Sequence, residues 1–165
     1  MEMEIGSAIV GAVSVAIVTL PVVLLGRSKR KKSKYFNTML SELAAQHDCK
    51  IDQREIAGTH AIGLDESRNF VFYCTLKNEN VEKQFIDLGK IQNCKVITTS
   101  RMLKSKDGNQ KVIDRLELGL TPKAKDKPEI KLEFFNADVH PQLYGELQAV
   151  EKWSKLINER LNRKN

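Results

Sequence analysis

The longest continuous apolar stretch of the sequence lies near its start. Residues 5–25 contain no charged side chain and consist mainly of Ile, Val, Leu and Ala. Because an α-helix rises about 1.5 Å per residue, such a run reaches about 30 Å, the thickness of a bilayer core. The pattern predicts a membrane-spanning helix, and residues 1–26 are assigned to an N-terminal transmembrane anchor.

The charges on either side of this run predict its orientation. Only Glu2 and Glu4 precede it. A basic collar, residues 27–34, follows it and contains Arg27, Lys29, Arg30, Lys31, Lys32 and Lys34. Lys and Arg stay on the cytoplasmic side, so a single-pass protein is expected in the inner (plasma) membrane, with its N-terminus outside and its folded domain in the cytoplasm. The collar is also the candidate site for anionic lipid at the membrane surface.

Two further points concern the N-terminal segment. A cleaved signal peptide fits less well, because its first residues would be basic and its apolar core shorter. Small residues along the run, such as Gly6 and Gly11, could bring two anchor helices together. A homodimer formed through the anchor helix therefore stays open.

A short amphipathic helix is predicted over residues 35–48. Phe36, Met39, Leu40 and Leu43 follow the i, i+3, i+4, i+7 spacing of one helical face. Next to a cationic collar, this apolar stripe could lie on a membrane surface. Packing of the stripe on the folded domain is favoured, because helices of globular proteins commonly carry such a stripe.

From residue 50 the pattern changes to short strands separated by turns. Leu116, Leu118 and Leu120 alternate with other residues, which is typical of a strand in an antiparallel sheet with one buried face. Asp107-Gly108 is a hairpin signal. The candidate strands cover residues 59–64, 70–76, 83–88, 94–103, 116–120 and 130–134.

The chain ends in a predicted helix. Asp138 is a plausible N-cap and Pro141 would lie in the first turn. The stripe at helical spacing consists of Leu143, Leu147, Val150, Ile157 and Leu161. Trp153, the single tryptophan, is expected to anchor the helix in the core. The predicted fold class is α+β: the transmembrane helix, a short helix, then a strongly bent antiparallel sheet of six or seven strands capped by a long C-terminal helix.

This order of elements resembles the pleckstrin-homology-like superfold, in particular the PH-like domains of bacterial membrane-anchored proteins. The resemblance covers residues 50–162 and rests on the segments HAIGLDESRNFVFYCT, FIDLGKIQNCKVI, RLELGL, IKLEFFN and LYGELQAVEKWSKLINERL. It implies a small non-catalytic interaction module. Lipid-headgroup binding is not carried over from the family, because Arg68 is the only Lys or Arg in residues 59–76.

Composition argues against nucleic acid as a partner. The formal net charge is +6, but the first 34 residues contribute much of it. Without them the chain has 21 Lys and Arg against 19 Asp and Glu, which is close to neutral. The positive charge therefore belongs to the collar and does not indicate a nucleic-acid surface.

The residues that usually carry chemistry form no recognisable motif. The three histidines, His47, His60 and His140, are isolated, and the three cysteines lack metal-ligand or disulfide spacing. Nucleotide-binding and nucleophile-elbow motifs are also missing from the sequence. The protein is therefore predicted not to be an enzyme and to use no cofactor or metal.

These observations predict a membrane-tethered, non-catalytic adaptor domain that binds a protein partner at the cytoplasmic face of the membrane. Two alternatives stay open. One is a sensor of anionic lipid or of the membrane surface, acting through the collar and the short helix. The other is a small-ligand-binding domain with a pocket between the sheet and the C-terminal helix, where polar groups would converge.

Overall fold

A computed structural model describes residues 31–163 of the chain, apart from residues 58, 78–79 and 106–107. Within these residues the chain forms two helices and seven strands. Helix α1 covers residues 31–45, α2 covers Glu146–Asn162, and a single 3₁₀ turn lies at Leu88–Lys90. The strands are β1 (Gln53–Ala57), β2 (His60–Asp65), β3 (Phe70–Lys77), β4 (Asn80–Asp87), β5 (Ile91–Ser105), β6 (Gly108–Pro122) and β7 (Ile130–Asn136).

The strands form two antiparallel sheets. The first has four strands in the order β1-β2-β3-β4, and the second has three in the order β5-β6-β7. Strands that follow one another in sequence are thus neighbours within each sheet, as short hairpin connections favour. The 3₁₀ turn between β4 and β5 takes the chain from the first sheet to the second.

Both faces of the four-stranded sheet are buried along its two central strands, β2 and β3. Every residue of β2 is buried, and so are four consecutive residues of β3. Successive side chains of a strand point to opposite faces, so continuous burial requires a cover on each face. Ala61, Phe72 and Cys74 pack with α1 on one face. Ile62 and Tyr73 point to the other face, into the core formed with α2 and the three-stranded sheet.

Helix α1 packs its apolar stripe on the outer face of the four-stranded sheet. Phe36 and Leu40 are buried there. Gly63 allows the close approach, because a Cβ atom at this position would lie 3.0 Å from Leu40 Cδ2 and 3.0 Å from Ile51 Cγ2. The stripe that an interfacial helix would present to lipid therefore contacts protein.

Helix α2 closes the core from the other side and also bonds to strand edges. Trp153 is 1% exposed, and its Nε1–H donates to Glu55 Oε2 of β1 at 3.2 Å. The Asn158 amide accepts the Cys94 backbone N–H at 3.1 Å and donates to the Cys94 carbonyl at 2.7 Å. Asn158 thus occupies both backbone groups that β5 presents at this point of its outer edge.

The prediction of one strongly bent sheet of six or seven strands is wrong, since the seven strands form two sheets. The 3₁₀ turn separates the sheets: the Asp87 carboxylate accepts the Gly89 N–H at 2.8 Å, and Leu88 is buried. The sequence analysis also missed β1, whose side chains are mostly half-buried and lack clear alternation. The pleckstrin-homology-like resemblance stays a prediction.

The prediction of a transmembrane helix in the fold is also corrected. No helix in the described ranges is long and apolar enough to cross a membrane. The observed fold is α+β without a membrane-spanning helix among these residues, which contradicts the single-pass transmembrane description. Residues 5–25, on which that description rested, lie outside the described residues. The cytoplasmic location of the folded domain stays a prediction.

The C-terminal helix begins later than its apolar stripe indicated. It starts at Glu146, after Gly145, whose φ of 111° lies in the left-handed region. That backbone conformation suits glycine and interrupts a right-handed helix. Leu143 and Tyr144 therefore precede the helix and are exposed, and Asp138 is not its N-cap.

The contact between α1 and Gly63 leads to a prediction about stability. We expect Gly63→Val to lower the free energy of unfolding by about 2 kcal/mol, because the added side chain overlaps Leu40 and Ile51 in a closely packed contact. Urea denaturation of the full-length protein, followed by tryptophan fluorescence, measures this change.

A double-mutant cycle with Leu40→Ala provides the control. Truncation of Leu40 makes room above Gly63, so Gly63→Val should cost less in the Leu40→Ala background than in the wild type. Equal costs in the two backgrounds would show that Gly63 does not set the distance between α1 and the sheet.

Candidate functional site

A groove of about 410 Å³ lies beside the end of β4, where the chain passes from one sheet to the other. One wall is formed by the last residues of β4 and the 3₁₀ turn. The opposite wall is formed by the end of β6, the loop over residues 123–129 and the first residue of β7. The volume lies within the range of ligand-binding clefts.

The inner surface of the groove is apolar. The side chains of this surface come from four different strands and belong to Phe85, Ile86, Ile91, Pro122 and Ile130. Ile86 and Ile91 are buried and are part of the main core. The floor of the groove is therefore continuous with the rigid interior of the domain.

Three lysines border the apolar surface, and we call the site the lysine-rimmed groove. They are Lys90, Lys123 and Lys127. The acidic residue in the lining is Asp87, whose carboxylate lies 3.6 Å from Lys90 Nζ. Three ammonium groups and one carboxylate leave a local charge of +2. The Lys90 side chain is 78% exposed, so this ion pair is a weak surface contact that neutralises little of the rim.

Backbone hydrogen bonds fix the positions of the rim lysines. The Lys123 N–H donates to the Lys90 carbonyl at 2.8 Å, which joins the start of the loop to the 3₁₀ turn. The Lys127 N–H donates to the Ala124 carbonyl at 3.2 Å, which folds the loop on itself. The main chain under the lysines is thus held in place, while their ammonium groups stay in water.

Phe85 brings an exposed aromatic ring to one end of the groove. It is 37% exposed although it lies in a strand. The His47 ring stacks on it with centroids 3.8 Å apart and planes 2° apart, and the rings of Phe70 and Phe72 lie beside it. These neighbours hold the Phe85 ring in one orientation.

A smaller depression of about 200 Å³ lies on the other side of Gly89 and reaches the end of α2 at Leu161. It is the feature of the described structure closest to the predicted pocket between the sheet and the C-terminal helix. Its volume is below the range of about 300–1,000 Å³ that is usual for ligand pockets.

Of the predicted membrane-surface residues, none that the structure describes lines the lysine-rimmed groove. Lys31, Lys32 and Lys34 lie in α1 and are exposed. Arg27, Lys29 and Arg30 lie outside the described residues. Sequence analysis in turn missed Lys90, Lys123 and Lys127. The available signal is the alternation of lysines between Pro122 and Pro128, which by itself predicts only a charged loop.

The cysteine thiols are poor candidates for nucleophilic chemistry. Burial raises the pKa of Cys74 to about 11 and that of Cys94 to about 12, so both thiols are protonated near neutral pH. Burial also raises the pKa of the partly exposed Cys49 thiol. In the described ranges, His, Cys, Asp and Glu side chains form no group of three that could hold a metal ion.

His60 is a buried histidine in the core between the two sheets. It is 2% exposed, and its ring lies 4.6 Å from the Phe134 ring and 5.9 Å from the Tyr73 ring. Its Nδ1 has no hydrogen-bond partner among the described residues. Burial lowers the pKa of His60 to about 4, so the imidazole is neutral in the folded protein.

Asp65 organises the turn between β2 and β3. Burial alone would raise the pKa of this carboxyl, but hydrogen bonds from the Arg68 N–H, the Ser67 hydroxyl and the Lys50 N–H lower it to about 2. The contribution of Asp65 to stability is therefore present above its ordinary pKa of 3.8 and is lost as the pH falls towards 2. This pH range lies below the range from 6.5 to about 4, in which protonation of His60 changes the stability.

Comparisons with protein-family models, with curated proteins and with solved structures give no match. The function is therefore inferred from the groove itself.

We expect His60 to make stability depend on pH. The unfolded chain binds a proton at this side chain below pH 6.5, whereas the folded protein does so only near pH 4. Stability should therefore fall by about 3 kcal/mol as the pH drops through this range, at about 1.4 kcal/mol per pH unit. Urea denaturation at a series of pH values measures the slope.

His60→Phe keeps a ring between Tyr73 and Phe134 but cannot titrate. Its stability should lack the part of the slope that lies between pH 6.5 and 4. His140→Gln, a change at an exposed histidine, serves as the control and should keep the wild-type slope. A slope that is the same in His60→Phe and in the wild type would contradict the prediction.

Proposed function

We propose that the described part of the chain is a non-catalytic interaction domain, and that the lysine-rimmed groove binds an acidic, extended segment of a protein partner. The observation that carries the proposal is an apolar floor, continuous with the core, beside three lysines that are offset by a single carboxylate. The complementary ligand has an apolar side chain flanked by Asp or Glu.

The apolar floor supplies most of the affinity in this proposal. Full burial of one large apolar side chain contributes about 1.5–3 kcal/mol. Because Ile86 and Ile91 belong to the core, the floor does not have to be ordered when the ligand binds. This pre-organisation lowers the entropic cost of association.

The lysine rim supplies charge selectivity. Each exposed lysine contributes little to affinity by itself, but together the three attract acidic chains and repel basic ones. A lysine ammonium group is a point charge on a flexible side chain, without the planar geometry with which arginine recognises one particular group. Such a rim suits a polypeptide with several carboxylates better than a ligand of one fixed shape.

Selection of peptides on the full-length protein tests the proposal. The probe is a displayed library of random linear peptides, selected near neutral pH at low salt. We expect enrichment of peptides that carry acidic residues beside an apolar one. Their affinity should fall as salt rises, because salt screens the lysine charges.

The charge-reversal variant Lys123→Glu/Lys127→Glu should bind the enriched peptides at least about tenfold more weakly, because the rim then repels acidic residues. Lys125→Glu is the matched control, since Lys125 lies exposed in the same loop but does not line the groove. It should bind within about twofold of the wild type, and near-UV circular dichroism checks that each variant is folded.

Two results would overturn the proposal. The first is that no acidic, apolar peptides are enriched. The second is that enriched peptides bind equally well to the wild type and to a correctly folded Lys123→Glu/Lys127→Glu variant.

A further inference from the structure

Strand β4 is the last strand of the four-stranded sheet, and within the described part of the chain no strand pairs with its outer edge. An open strand edge presents backbone N–H and C=O groups that can pair with another chain. The residues whose backbone groups point outwards follow from the register between β3 and β4.

One hydrogen bond at the end of the β3–β4 pair fixes this register. Phe70 and Asp87 lie opposite each other, and the Leu88 N–H donates to the Asn69 carbonyl at 3.0 Å. In an antiparallel ladder, this pattern makes Phe70 and Asp87 a non-hydrogen-bonded pair. The backbone groups of Asp87 therefore point away from β3. The two kinds of pair alternate along the ladder, and the register has no bulge. The backbone groups of Phe85 and Lys83 therefore also point away from β3.

Two of these three residues border the lysine-rimmed groove. Phe85 and Asp87 both line it, so the outward backbone groups of β4 lie along one of its walls. Asp87 keeps an extended backbone, with φ −81° and ψ 108°, so strand geometry continues up to the 3₁₀ turn. The apolar floor and the rim lysines lie beside an edge on which a strand could form.

The edge strands of the three-stranded sheet, β5 and β7, have side chains bonded to their backbone. Asn158 bonds both backbone groups of Cys94 on β5. The Tyr73 hydroxyl donates to the Glu133 carbonyl on β7. These contacts reduce the backbone groups that β5 and β7 could offer to another chain, and of the two edges of the four-stranded sheet only that of β4 borders the groove.

We infer that the acidic segment binds as an additional strand on β4. This inference rests on the proposed function and states how the same groove recognises its ligand. Backbone groups of the segment pair with those of Lys83 and Phe85 and with the Asp87 N–H, while the Asp87 carbonyl accepts the first bond of the 3₁₀ turn. Alternate side chains of the segment then point to the same side, so every second residue can enter the groove or meet the lysine rim.

Backbone N-methylation of an enriched peptide tests the inference without any change to the protein. Two versions are compared, one methylated at odd residues and one at even residues. In a strand that pairs along one edge, only alternate N–H groups face the partner. One version should therefore lose affinity by at least about tenfold, while the other stays close to the unmethylated peptide.

The outcomes separate this inference from the proposed function. If the unmethylated peptide binds, and Lys123→Glu/Lys127→Glu weakens it, but both methylated versions bind alike, strand addition is overturned and the proposed function stands. If both methylated versions lose binding equally, strand addition is overturned as well, because the loss does not alternate. If the unmethylated peptide does not bind, the proposed function itself fails.

Discussion

The fold depends on burial of both faces of the four-stranded sheet. β2 is buried along its whole length, so its side chains need apolar partners on each side. A single buried large side chain contributes about 1.5–3 kcal/mol, and loss of either cover would expose several of them at once. Helix α1 supplies one cover, and α2 with the three-stranded sheet supplies the other. At Gly63 the first cover approaches the sheet so closely that a Cβ atom would lie 3.0 Å from Leu40 Cδ2.

The same arrangement accounts for the position of the groove. α1 and α2 cover faces of the sheet, and neither lines the groove that runs beside the end of β4. The chain leaves β4 through a 3₁₀ turn that Asp87 caps, and then enters the second sheet instead of pairing again with the first. An open edge and an apolar gap between the sheets result from that one change of direction. The groove is thus a consequence of the two-sheet architecture, and the lysines in the following loop give it its charge.

The sequence revealed those elements whose residues interact mainly with their neighbours along the chain. The apolar spacing of α2 predicted a helix, and Trp153 lies in the core as expected, but the helix starts only after the left-handed Gly145. The division into two sheets depends on where pairing stops, and strand patterns do not encode this. The groove joins Phe85 to Ile130 across 45 positions of the sequence, so no local pattern could reveal it. The basic residues selected from the sequence formed a contiguous collar, whereas the rim lysines converge only in the folded chain.

The titratable side chains that make the stability of the domain depend on pH lie away from the groove. Among the described residues, His60 and Asp65 have lowered pKa values; His60 lies in the core, Asp65 ends β2, and neither lines the groove. Their effects on stability lie below pH 6.5. Acid therefore acts on binding through the stability of the domain and through the carboxylates of the ligand.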